Sequence, residues 1–90
     1  QNYTLFVRAL QEFGKRLYEL GYHDEALIVL EYAISTRTDI SATYYLLASI
    51  YHEKGQTGKI KHLIFVADTL QSAMKGPIVR TLKESYPDIG

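Results

Sequence analysis

A shift of 34 residues lays one half of this 90-residue chain over the other. Gly21 falls on Gly55, Gly14 on Ala48 and Ala33 on Ala67, while Leu10 falls on Tyr44, Phe13 on Leu47, Leu17 on Tyr51, Ala26 on Ile60 and Leu30 on Ile64. Small residues recur where two helices must approach closely, and large ones recur where a gap must be filled. A period of this length marks one supersecondary unit that cannot bury its apolar face alone and so stacks on its neighbour. The chain is thereby constrained to a row of like units.

Those units are helical. Gly21, Gly55 and Gly76-Pro77 are the internal breakers and leave five stretches of helical periodicity between them. The first runs from about Tyr3 to Leu20, with Phe6, Leu10, Phe13, Leu17 and Leu20 recurring at steps of four and three as one apolar stripe. A second starts near His23 or Asp24, whose acidic neighbour Glu25 also suits a helix N-terminus, and runs to about Thr36. Asp39 is the expected N-cap of a third helix, from about Ile40 to Lys54, and Thr57 that of a fourth, from about Gly58 to Gln71. Pro77 sits in the first turn of a fifth helix that Pro87 stops.

The two units read Leu10, Phe13-Gly14, Leu17, Gly21, Ala26, Leu30, Ala33 and Tyr44, Leu47-Ala48, Tyr51, Gly55, Ile60, Ile64, Ala67. From Val7 to about Met74 this resembles the tetratricopeptide repeat family, a 34-residue helix-turn-helix period. Ile60 departs from the family's small residue, and Thr38 and Ser72 stand where the family often has proline; Thr and Ser can serve a turn through their hydroxyls. The resemblance implies an all-α fold, a solenoid of antiparallel helix hairpins forming a single domain. Its first repeat spans about 7–40, its second about 41–74, and a capping helix about 76–87. In that cap Ile78, Val79, Leu82 and Tyr86 are expected to point inward.

Composition narrows the function. Ten Lys plus Arg balance ten Asp plus Glu, so no diffuse basic field is available for nucleic acid or an anionic bilayer. The absence of cysteine excludes a disulfide scaffold, a Cys-based zinc site, a thiol nucleophile and an iron–sulfur cluster. The apolar run Ala26-Leu27-Ile28-Val29-Leu30, stopped by Glu31, is far short of the roughly 18 residues of a membrane span, so no membrane insertion by this segment is expected. The chain begins at Gln1 rather than Met and without the order of a signal peptide, which fits a piece of a longer protein; a cytoplasmic location is the expectation.

Catalytic patterns fail on inspection. His52-Glu53 starts like a metalloprotease helix, but the second ligand position one turn later is Gln56, and His23, His52 and His62 share no helix spacing. Gly55-Gln56-Thr57-Gly58-Lys59-Ile60 has glycines too close together for a phosphate loop and Ile60 in place of its hydroxyl, so a repeat turn explains it better. His23-Asp24-Glu25 are adjacent helix residues facing different directions, with no nucleophile fixed nearby. No catalytic residue, metal or cofactor is expected.

A face remains. At about 100° per residue, Leu10, Phe13, Gly14 and Leu17 cluster on the core side of the first helix and Arg8, Gln11, Lys15 and Tyr18 on the other. In the third helix Tyr44, Leu47, Ala48 and Tyr51 are the core side, and Ala42, Tyr45, Ser49 and His52 are opposite. The family resemblance implies that these outward positions line a concave groove that receives a peptide, with Arg80 and Lys83 adding cations at its far end. The expected partner is a protein or peptide of acidic character; tyrosines supply contact area, and Arg or Lys meets carboxylates. Family members that clamp a terminal carboxylate do so at positions held here by Gln11, Lys15, Leu46, Gly76 and Arg80. Only Arg80 matches in kind and place, so that ligand is not expected. The alternative is a structural segment or self-association through exposed ends, since Tyr3, Phe6 and Leu10 are expected to be exposed where a longer parent chain carries an earlier repeat.

Overall fold

The computed structural model describes residues 2–89. It is all-helical there: α1 Asn2–Glu19, α2 His23–Ser35, α3 Ser41–Glu53, α4 Thr57–Asp68 and α5 Lys75–Ser85. The two expected glycine turns are the same turn. Gly21 has φ 91° and Gly55 φ 71°. Tyr22 N–H donates to the Leu17 carbonyl at 2.8 Å and Gly21 N–H to Tyr18 at 3.0 Å; Gln56 N–H donates to Tyr51 at 2.9 Å and Gly55 N–H to His52 at 3.0 Å. This paired bonding is the Schellman cap, which needs a left-handed residue after the helix. An alanine Cβ at either glycine would meet nothing within 4 Å, so its cost lies in the backbone alone. Gly55→Ala is expected to lower stability by about 1–2 kcal/mol, read as a shift of the urea midpoint at constant slope. An unchanged midpoint would contradict the cap.

Three boundaries differ from the sequence expectation. Asp39 does not cap α3; the cap position is Ile40, without a side-chain bond, and Asp39 accepts instead from the Ser72 hydroxyl at 2.6 Å. Thr57 is the first residue of α4 rather than its cap, because the Schellman turn leaves only Gln56 outside the helix. α4 ends at Asp68, short of Gln71, with the Thr69 hydroxyl bonding back to the Val66 carbonyl at 2.7 Å.

The helices form two layers in a body of 34 × 31 × 16 Å. α1, α3 and α5 touch in succession; α2 packs on α1 and α3, α4 on α3 and α5, while the α2 and α4 backbones stay apart. Ala26, Leu30, Ala33, Tyr44, Leu47, Ala48, Tyr51, Ile60, Ile64 and Ala67, the apolar repeat positions from Ala26 onward, are all buried. Ile78 and Leu82 of α5 join them, and Val79 and Tyr86 are half-buried against the same cluster. α1 meets α2 closely at Gly14, where an added Cβ would stand 2.6 Å from Leu30 Cδ2.

α1 is turned relative to expectation. Its buried side is Val7, Gln11 and Gly14, about 100° around the helix from the apolar stripe. Leu10 and Leu17 are half-buried at the edge, and Phe13, expected in the core, is 55% exposed with Phe6 and Leu20 beside it. The equivalent Leu47 is buried because α2 lies over α3; among the described residues no helix lies over that side of α1. Phe6 finds only an edge-on contact with Tyr32, ring centres 6.2 Å apart.

The links between units are built alike. Ile40 N–H donates to the Thr38 hydroxyl and Met74 N–H to the Ser72 hydroxyl, at 3.2 and 3.0 Å, so each hydroxyl makes a local turn. Tyr44, fully buried, donates its hydroxyl to the Thr38 carbonyl at 2.7 Å, and burial pushes its pKa up to about 12. Nearby Thr43 is buried with its hydroxyl unpartnered. Thr43→Val keeps the shape and removes an unsatisfied polar group, so a gain of about 1 kcal/mol is expected in the same urea titration.

Candidate functional site

The sides of α1, α3 and α5 turned away from α2 and α4 carry the residues singled out above. On α3 all are placed as expected: Ala42 and His52 are exposed, and Tyr45 and Ser49 are half-buried. Ser49 donates its hydroxyl to the Leu46 carbonyl at 2.7 Å. On α1 the set divides. Arg8 and Lys15 are exposed, Tyr18 is half-buried, and Gln11 is only 8% exposed, so it is packing rather than groove surface. Gln11 is drawn inward by the same turn of α1 that puts Phe13 outside.

Side chains tie the three helices along their C-terminal ends. The Tyr18 hydroxyl donates to Glu53 Oε2 at 2.7 Å, joining α1 to α3. This bond to a carboxylate holds the phenol in its protonated form and raises its pKa, with smaller contributions from desolvation and the nearby charge. His23 stacks on Tyr18 with ring centres 4.4 Å apart. His52 lies 5.3 Å from the Tyr86 ring, joining α3 to α5, and burial raises the Tyr86 pKa. The result is a strip of His23, Tyr18, Glu53, His52 and Tyr86 that runs from the start of α2 across α1 and α3 to the end of α5. Lys83 lies next to Tyr86 and Val79 around α5, whereas Arg80, also exposed, stands about 120° from Tyr86 at the end of the array.

Glu53 and Tyr86 join this strip although helix arithmetic does not place them on the outward face. Glu53 could have been found, since the 34-residue shift lays it on Glu19 next to Tyr18. Tyr86 belongs to the core by its apolar spacing and to the surface by its hydroxyl, so spacing alone gave half its role.

The other motifs settle into structure. Gly55 to Lys59 is the turn and first turn of α4, and Lys59 lies over the Tyr51 ring, 5.7 Å from its centre. Asp24 pairs with Lys54 at 2.9 Å; this bond lowers the Asp24 pKa, so the pair is present at neutral pH and lost as the pH falls through that depressed value. His62 lies near Phe65, away from the other two histidines. Among the described residues no group of three or more His, Asp or Glu side chains is gathered as metal ligands would be. No helix of the described residues is long and apolar enough to cross a membrane. Compared with models of protein families, with curated proteins and with solved structures, the chain shows no match.

Proposed function

We propose that the chain is a tetratricopeptide-like solenoid of two repeats with α5 as its cap, and that it is a non-enzymatic module holding a peptide or helical segment of a partner protein. The repeat reading is supported by geometry that recurs at a 34-residue shift: the Schellman caps at Gly21 and Gly55 and the hydroxyl turns at Thr38 and Ser72. The observation that carries the binding reading is one half-buried tyrosine on each helix of the layer, Tyr18, Tyr45 and Tyr86. Such rings offer apolar area with a polar tip at small entropic cost. Arg8, Lys15 and Lys83 are exposed cations on the same three helices as the rings and favour an acidic segment.

The test is a peptide array screened with the full chain, followed by titration of the captured peptides against wild type and a Lys15→Ala/Tyr18→Ala/Tyr45→Ala variant shown by circular dichroism to be folded. Affinity is expected to fall by at least about thirtyfold in the triple variant, mostly through Tyr45, with Lys15 mainly setting the salt dependence. Equal binding would move the function elsewhere. A second reading then applies, a structural segment that associates through its end, which the exposed stripe of Phe6, Phe13 and Leu20 favours.

A further inference from the structure

On the opposite layer, where α2 and α4 part over α3, the surface sinks into a cavity of about 460 Å³. Its size falls within the range of small-molecule sites, about 300–1,000 Å³. Leu47 and Leu63, both almost fully buried, and the half-buried Ile34 and Val66 give it apolar walls. The polar groups on its lining are unequal in charge. Arg37 and Lys59 bring two fixed cations and His62 a further nitrogen donor, against the single carboxylate of Glu31. That carboxylate already accepts from the Tyr51 hydroxyl. The Arg37 guanidinium bonds the Thr69 carbonyl at 2.8 Å, which fixes it across the α4 end of the cleft.

We infer that this cleft binds a small amphipathic monocarboxylate, its hydrocarbon tail on the apolar walls and its carboxylate against Lys59 and His62. The net charge of the lining selects the sign of the head group. One excess cation suits a single negative charge, and the apolar walls disfavour a fully polar anion. Tyr51 has a place in this arrangement: by donating to Glu31 it keeps the only acidic group turned to the protein, while its ring carries Lys59. The proposal concerns the layer facing away from Tyr18 and Tyr45, and it stands whether or not a peptide binds there.

The experiment titrates the full chain with decanoate, decanol and decylamine below their micellar concentrations, read by calorimetry and by NMR amide shifts. Decanoate is expected to saturate one site, with shifts gathered at Ile34, Leu47, Leu63 and Val66, and decanol and decylamine to bind at least about tenfold more weakly. Lys59→Glu, at an exposed position, is expected to weaken decanoate by at least about tenfold in a chain that circular dichroism shows to be folded. Val66→Trp, which fills the cleft, is expected to remove binding; if it fails to fold, Lys59→Glu decides. Equal affinity for decanol, shifts centred on Phe6 and Phe13 or on Tyr45, indifference to Lys59→Glu, or no saturable binding would each overturn the assignment.

Discussion

Deleting the chain from Pro77 onward is expected to leave a protein that is largely unfolded or self-associated at micromolar concentration. α5 supplies Ile78 and Leu82, both fully buried, and the half-buried Val79 and Tyr86. A fully buried aliphatic side chain contributes about 1.5–3 kcal/mol, so these residues together carry roughly 4 kcal/mol or more, a large share of the 5–15 kcal/mol typical of a whole domain. The loss is not confined to the deleted atoms. α5 lies on both α3 and α4, and its removal opens their apolar faces to water, which favours association with another copy. Sedimentation over a concentration series, with circular dichroism on the same samples, checks this; a monomer as stable as the full chain would show that α5 is not a cap.

Gly14→Val is expected to destabilise the chain by about 1–3 kcal/mol. The first added carbon already stands 2.6 Å from Leu30 Cδ2 and 2.8 Å from its Cγ, inside contact distance, and valine adds two more. The branch point of Leu30 cannot step aside, since the residue is fully buried. Overpacking of this kind costs about 1–3 kcal/mol and outweighs the few tenths of a kcal/mol, roughly, that exchanging glycine for β-branched valine returns to a helix. The pair is diagnostic. Leu30→Ala alone is expected to cost about 3 kcal/mol, and the double variant less than the two single losses added, because the valine methyls enter the space that Leu30 leaves. Strict additivity on a double-mutant cycle would mean that α1 and α2 do not meet at Gly14.

α3 and α4 were legible in the sequence because both have neighbours on the sides that their apolar residues specify. Tyr44, Leu47, Ala48, Ile60 and Ile64 are buried as periodicity demands. In α1 the same periodicity misleads. Phe6, Phe13 and Leu20 spell out a face for which the described residues contain no counterpart, and the helix is oriented instead by Gly14 against Leu30 and by Tyr18 reaching Glu53. The capping errors have a similar origin. Asp39 reads locally as an N-cap, but its carboxylate takes a bond from Ser72, 33 positions away, which no local rule can see. Of the face proposed to bind a partner, Tyr45, His52 and Lys15 follow from helix arithmetic, whereas Gln11 is lost to packing and Glu53 is gained from a bond between helices.

That α3 meets the backbone of each of the other four helices, while among the described residues no close backbone approach joins α1 or α2 to α4 or α5, sets how this chain must come apart and together. All of its interhelix contacts bridge segments one or two helices apart, so no large loop has to close before they stabilise anything, a topology associated with folding in microseconds to milliseconds. Either end can open while the other keeps its packing, but the loss of α3 severs both. Backbone amides in α3 should therefore exchange with solvent only through global unfolding, and those of α1 and α5 through cheaper local openings that begin at the termini.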